Sequence, residues 1–428
     1  MKRTLLTILT LLLAASFLLS ACQTGMETEV TEEAKSDEVT LVIGFTSSIT
    51  GKYETSSRRQ VRGFNLWMDQ VNNAGGITLS DGTVVKLEVA TYDDESNTDR
   101  IQELYTRLAT EDNADLLISP YSSGLTAAAS IIAEQNGKVM ITTGAAADSN
   151  YQQGYTQVFQ IYTPASRYLT GAVDLLASVG PEVTKVAFVY EDTKFSTGVV
   201  EAAKVYAESM GYEVVLYEGY AADTSDFGPF INKIVNSGAE AIMGGGHFQD
   251  GSTFARQLHE KGVDTNLFAL LVAPPEPDFA DLGEAAFGVI GPSQWEPLAA
   301  YTPESAEAAG VEWFGPSSDD FVTAYTGAYD GEEPSYHSAG GYAAGVVLQN
   351  AVLTADSTDP VAIKAALDAM DLMIFFGSIK FDTSEENHGL QIGHSMIYIQ
   401  WQEGEDGLAK QVVWPKAGAT SDAIYPIP

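Results

Sequence analysis

The chain has 428 residues, 45% of them hydrophobic, with 58 acidic against 22 basic side chains and a formal net charge of −36 at neutral pH. So negative a balance excludes nucleic acid as a partner and repels an anionic bilayer, so that a membrane attachment would need a covalent tether. The length exceeds that at which one hydrophobic core stops growing, so two lobes are expected, and a single cysteine leaves no disulfide to join them.

That cysteine, Cys22, closes the segment Leu19-Ser20-Ala21-Cys22, after a basic start at Lys2 and Arg3 and an apolar run from Leu5 to Leu19. The run, about 15 residues, is shorter than the ~20 that span a bilayer, and small residues precede the cysteine as signal-peptide cleavage requires. The segment resembles the lipobox of bacterial lipoproteins. The resemblance implies that residues 1–21 are removed and that Cys22 carries the acyl chains that hold the chain on a membrane. Residues 22–38 are polar, acidic and aperiodic, and read as a disordered tether.

From Val39 one grammar repeats: a short aliphatic run, a helical pattern, a glycine, and another strand. Leu41 to Phe45 is followed by Val61, Phe64, Trp67, Met68 and Val71 at helical spacing, ended by Gly75-Gly76. Val85, Leu87 and Val89 alternate as a strand; Ile101, Leu104, Tyr105 and Leu108 mark a helix; Leu116 to Ile118 is the next strand. Helices ending near Gly137, Gly211, Gly238 and Gly262 lead into strands at Val139 to Ile141, Val214 to Leu216, Ala241 to Met243 and Leu267 to Leu270. This alternation predicts α/β architecture: two doubly wound parallel-sheet lobes, separated by a connector at Ile161 to Ser166. After Gly288 to Pro292 come helices (Phe321 to Tyr329, Tyr342 to Thr354, Val361 to Met370) and then an expected hairpin of Ile379 to Phe381 with Tyr398 to Trp401. The expected first lobe is 39–160 with 289–373, and the second 161–288 with 374–428.

The chain from Val39 onward resembles the substrate-binding proteins of branched-chain amino acid ABC transporters, the type I periplasmic binding proteins. The matching residues include Ile43-Gly44 through Thr50-Gly51, Val71 through Ile77, Tyr92-Asp93-Asp94, Ser122-Ser123, Ile141 through Ala145, Gly288-Val289 through Trp295, Gly341 through Gly345, and Phe376 through Asp382. The resemblance implies lobes joined by a three-crossover hinge, closing on a small molecule and delivering it to an ABC permease and its ATPase. No cofactor is implied.

In parallel α/β lobes, ligands bind beyond the carboxyl ends of the strands, at helix N-termini. Ser122 and Ser123 occupy such a place; the plain alternative is a helix N-cap, and the resemblance makes Ser123 a ligand serine. Gly144, Ala145 and Ala146 follow the next strand and are small enough for a ligand to lie against their backbone. The family's hydroxyl in this loop aligns with Ala146, or with Ala147 one residue on. Its aromatic clamp positions match Phe195 and His247. The acid that would neutralise a ligand ammonium falls on Leu271 in one register and on Glu276 in another; without Glu276 a buried ammonium would lack its counter-charge. Trp295, Tyr53, Ser56, Tyr336 and Tyr342 are further candidates, each as readily a packing residue.

An enzyme is the competing class. The chain has no Gly-x-Ser-x-Gly elbow, no His-Glu-x-x-His helix and no phosphate loop with its lysine, and its five histidines show no metal-ligand spacing. The expected function is a lipid-anchored solute receptor for a branched-chain or related amino acid. The alternatives are a non-amino-acid ligand, such as an aromatic carboxylate or a neutral amide, and a sensory receptor of the same fold.

Overall fold

The computed structural model describes residues 37–298, 301–405 and 407–427; Cys22 and most of the expected tether lie outside them. The first lobe opens with β1 (Glu38–Ser47), α1 (Glu54–Asn73), β2 (Ile77–Thr78), β3 (Val84–Asp93), α2 (Thr98–Thr110), β4 (Leu116–Ile118), α3 (Ser123–Gln135), β5 (Met140–Thr142) and β6 (Val158–Gln160). Its sheet runs β2-β3-β1-β4-β5-β6, parallel except for β2. The period of two in β1 sorts the core: Leu41, Ile43 and Phe45 pack with Phe64 and Trp67 of α1, while Val42 faces Ile101 and Tyr105 of α2.

The second lobe contains α4 (Thr170–Val179), β7 (Lys185–Glu191), α5 (Lys194–Ser209), β8 (Glu213–Tyr220), α6 (Gly228–Ser237), β9 (Ala241–Gly245), α7 (Phe248–Glu260), β10 (Leu267–Leu270) and β11 (Ile290–Ser293). The chain then returns to the first lobe with α8 (Pro303–Ala309), β12 (Glu312–Trp313), α9 (Ser318–Ala328), α10 (Tyr336–Ala355), α11 (Pro360–Asp368), β13 (Asp371–Ile374) and β14 (Gly377–Lys380). It ends in the second lobe with β15 (Ile397–Gly404) and β16 (Gly407–Trp414). The second sheet runs β16-β15-β11-β10-β9-β7-β8, with β15 and β16 antiparallel to their neighbours.

Two expected boundaries and one hairpin are corrected. β11 bonds to β10 and β15, so the second crossing follows Ser293 and not residue 289; the run Val289-Ile290 is as apolar as any strand of either lobe. β14 pairs with β13, and Phe381 bridges to Gln391 beside β6, so the third crossing lies after Gln391 rather than at 374. The hairpin is β15 with β16, because β14 already has β13 as its antiparallel partner.

The three crossings are tied to one another. Thr163 on the first donates its N–H to Gln294 Oε1 on the second at 2.9 Å, and its hydroxyl meets His394 Nδ1 on the third at 2.7 Å. His394 Nε2 lies 2.8 Å from the Phe376 carbonyl. Burial holds the His394 pKa down to about 4, so the hinge imidazole is neutral near pH 7.

α10 reads Ser338-Ala339-Gly340-Gly341-Tyr342-Ala343-Ala344-Gly345 and is buried on nearly every face, as a helix without a polar stripe must be. Its glycines let it lie directly on α1: a Cβ on Gly341 would stand 1.9 Å from the Gln60 carbonyl oxygen, and one on Gly63 1.9 Å from that of Ser338. This contact fixes the start of α10, with Tyr336 and His337, against α1, which carries Arg59. Gly341→Ala should therefore force the helices apart and lower stability by about 1–3 kcal/mol or more, read as a fall in melting temperature; an unchanged Tm would mean that the contact is not close-packed.

Candidate functional site

The carboxyl ends of both sheets face each other across the hinge. After β4 the chain turns at Ser122, held at φ +81° by its N–H on the Gly144 carbonyl at 3.0 Å, and α3 begins. Ser122 caps that helix, its hydroxyl accepting from the Leu125 N–H at 3.3 Å. Ser123, 1% exposed, accepts from the N–H groups of Ala146 at 3.1 Å and Ala147 at 3.0 Å. With both lone pairs engaged, its own hydroxyl proton is left to donate. The N–H groups of Ser123 and Gly124 take no protein acceptor among the described residues, as expected in the first turn of a helix.

The second lobe supplies the facing wall. Thr193 caps α5 and sets Phe195 in its first turn. Gly244 and Gly245, at φ +142° and +81°, end β9 and bring His247 to the start of α7, where its N–H donates to Asp250 Oδ1 at 2.8 Å. Beyond β10, Val272 is held at φ +52°, a conformation that a β-branched residue adopts only under strain. Between the walls lies a narrow cavity of about 10 Å³, no larger than one water, so a solute enters only when the walls part; it is bordered by Ser122, Ser123, Gly144, Ala146, Phe195 and His247. Tyr121, Tyr162, Tyr168, Val272, Tyr336 and His337 complete the lining. Burial pushes the phenols of Tyr121, Tyr162 and Tyr336 well above their usual pKa, so they remain neutral.

Ion pairs cross from lobe to lobe around this space. Lys52 Nζ of the first lobe lies 2.9 Å from Glu191 Oε1 of the second, and Glu191 Oε2 lies 2.5 Å from His247 Nδ1. Burial opposes ionisation of Glu191, but His247 and Lys52 outweigh it and hold its pKa at about 2. Glu276 of the second lobe, 0% exposed, has Oε1 on His337 Nδ1 and Oε2 at 3.2 Å from Arg59 Nε, both partners coming from the first lobe. Burial alone would raise its pKa; His337, Arg59 and Lys410 reverse that and hold it below the usual carboxylate range. Arg59 also reaches Asp278 at 3.0 Å, and Lys410 of β16 reaches Glu296, just past the second crossing, at 3.0 Å.

The expected residues divide accordingly. Ser122, Ser123, Gly144, Ala146, Phe195 and His247 border the space; Ala145 lies behind it, its carbonyl accepting from the Tyr151 hydroxyl at 3.3 Å. Tyr53 packs behind the lining, edge-on to Tyr121 and tilted against His247, with ring centroids 5.6 and 4.9 Å away, and Ser56 is buried on α1. Glu276 reaches the wall, but behind His337; Leu271, the other register, is fully buried in the core. Trp295 is a correction: it packs edge-on to Phe321 and Phe375 in the first lobe, because the second crossing ends just before it. Tyr342 likewise packs on Phe321. His337 and Val272 carried no sequence signal of a site, whereas Tyr121 stands beside the serine pair and Tyr162 within the connector already singled out.

Glu191, His247 and Asp250 present ligand atoms within 4.8 Å of one another. Each carboxylate is already engaged, Glu191 by Lys52 and His247, and Asp250 by the Tyr220 hydroxyl at 2.5 Å, so the cluster is satisfied without a cation.

Three comparisons bear on this arrangement. A family model described as periplasmic binding protein matches residues 40–406. The Leu/Ile/Val-binding protein homolog 7 of Brucella suis biovar 1 is 26% identical over 378 residues, covering 85% of this chain and 89% of that protein. The fold matches a branched-chain amino acid transporter substrate-binding protein of Streptococcus pneumoniae in complex with isoleucine, with a TM-score of 0.71 at 21% identity over 88% of this chain and all of that one. It also matches an ABC transporter solute-binding protein of Rhodopseudomonas palustris HaA2 in complex with p-hydroxybenzoic acid, at 0.73 and 18% identity over 91% and 98%.

Burial and the neighbouring Glu191 raise the Asp250 pKa to about 6. A carboxyl whose folded pKa exceeds its unfolded value is favourable at low pH and loses that contribution as pH rises from about 4 through 6. In Asp250→Asn that titration is absent, so the melting temperature of the variant relative to the wild type should climb between pH 4 and 7. A difference that stays flat with pH would contradict the assigned shift.

Proposed function

Because the chain belongs to the periplasmic binding protein family, we propose that it is the extracytoplasmic receptor of an ABC importer, tethered through Cys22 and closing on a small carboxylate. Solute binding, not catalysis, is the property of the family. The single observation that carries the ligand class is Ser123. Its lone pairs are taken by two backbone N–H groups, so it offers only a proton, at a helix terminus with two free N–H groups beside it. A buried hydroxyl that can only donate, on the first turn of a helix, suits an anion far better than a cation or an apolar group. The ligands named with the relatives, isoleucine and p-hydroxybenzoic acid, share only the carboxylate and an apolar body.

Closure would follow from this grip. A ligand held by Ser123 on one lobe and covered by Phe195 and His247 on the other adds free energy to the closed form alone, and so shifts the equilibrium toward it. The closed form would then be the one recognised by a permease and its ATPase.

Three measurements test the reading. In thermal melts of the purified protein, benzoate and 4-methylpentanoate should raise Tm, about 2.7 kcal/mol of stabilisation at ~100 times Kd, while their primary amides should not; amides as effective as acids would contradict an anion site. Ser123→Ala should weaken carboxylate binding by about tenfold or more, and should also lower Tm because it strands the Ala146 and Ala147 N–H groups. Cys22→Ala should move the protein from the membrane to the soluble fraction of expressing cells, and persistence at the membrane would contradict the tether.

A further inference from the structure

Among the described residues, the wall of the closed space contains serine, glycine, alanine, valine, phenylalanine, tyrosine and histidine, and no carboxylate. Two acids come close, and an imidazole stands in front of each. Glu276 has one oxygen on His337 Nδ1 and the other beside Arg59 Nε; Glu191 has one on His247 Nδ1 and the other on Lys52 Nζ. Asp250 lies one layer further back, between the His247 N–H and the Tyr220 hydroxyl. Glu191 and Glu276 thus each have a cation of the protein beside them, Lys52 at 2.9 Å and Arg59 at 3.2 Å, although Glu276 Oε2 and Arg59 Nε make no hydrogen bond. The imidazole Nε2 atoms of His247 and His337 have no hydrogen-bond partner among the described residues.

A bound α-amino acid carries an ammonium as well as a carboxylate. Its carboxylate would find the Ser123 donors. Its ammonium would lose its water and meet phenol rings and the imidazole Nε2 atoms of His247 and His337, none of which carries the negative charge that would offset its desolvation. To regain a counter-charge it would have to displace His337 or Arg59 from Glu276, and those contacts join the two lobes. Binding the ammonium and closing the cleft would therefore compete.

We infer that this site selects monocarboxylates with an apolar or aromatic body and no α-ammonium group, and that His337 sets the preference by occupying Glu276. The inference rests on the carboxylate reading above and narrows it. It also separates the protein from its relatives named for leucine, isoleucine and valine.

The test uses pairs of ligands that differ only in the α-ammonium: leucine with 4-methylpentanoate, and phenylalanine with 3-phenylpropanoate. Calorimetric titration of the purified protein should give a Kd at least about tenfold lower for the deaminated member of a pair. An amino acid that binds more tightly than its deaminated partner overturns the inference and leaves the carboxylate site standing. If no acid of either kind binds while 4-methylpentanamide does, both fail. In His337→Ala, Glu276 is uncovered, so the ratio of the two affinities should move toward the amino acid by about tenfold. That ratio is read within one protein and does not depend on how much stability the variant retains. A ratio equal to that of the wild type would remove His337 as the selector.

Discussion

Glu276 has no contact with water, and its charge is matched chiefly by groups that belong to the opposite lobe. An isolated buried carboxylate is several kcal/mol unfavourable, so its ionised state ties the lobes together: Arg59 and His337 must come across the cleft, or Glu276 must return to solvent. The same logic operates on the other flank, where Lys52 reaches Glu191. In a chain with 58 acids and 22 basic residues, three of the bases, Lys52, Arg59 and Lys410, lie in this belt around the cleft. Electrostatics here concern the state of the hinge more than the stability of either lobe, since each lobe has its own hydrophobic layers.

The belt also defines what the enclosed space can accept. Because the acids point away from it, toward cations of the protein, the lining that remains is aromatic and hydrogen-bond donating. Ser123 illustrates how local geometry sets chemistry. A free serine hydroxyl both donates and accepts, but one whose lone pairs hold the Ala146 and Ala147 N–H groups can only donate. The strained backbone at Ser122 and Val272 lies on the two walls, where unusual φ values are maintained by the contacts around them.

The alternating strands and helices were legible in the sequence because their signal is local: β1 declares itself through Leu41, Ile43 and Phe45, and α1 through Phe64 and Trp67 at helical spacing. The serine pair and the Gly144 loop stand where a strand ends before a helix N-terminus, the functional edge of such a sheet, whereas the ligand role of Ser123 and the places of Phe195 and His247 came only from the family resemblance. The crossings at 294 and 392 were not legible, since Val289-Ile290 and Ile379 have the same apolar character whichever sheet they join. Trp295 was misread for the same reason: one residue past a crossing, its ring belongs to the core of the other lobe. His337 was invisible because its role depends on Glu276, 61 residues away in sequence and on the opposite lobe. Pairings at that separation leave no trace in the composition or periodicity of either segment.

The most direct test of the account measures closure itself. Residues 39–428 contain no cysteine, so a single spin-labelled cysteine in each lobe gives an unambiguous interlobe distance distribution by pulsed electron resonance. The account predicts that Glu276→Gln, which keeps the shape and removes the charge, depletes the short-distance population relative to the wild type under the same conditions. A short-distance population equal to or larger than that of the wild type would contradict the claim that this buried carboxylate and its partners across the cleft hold the lobes together.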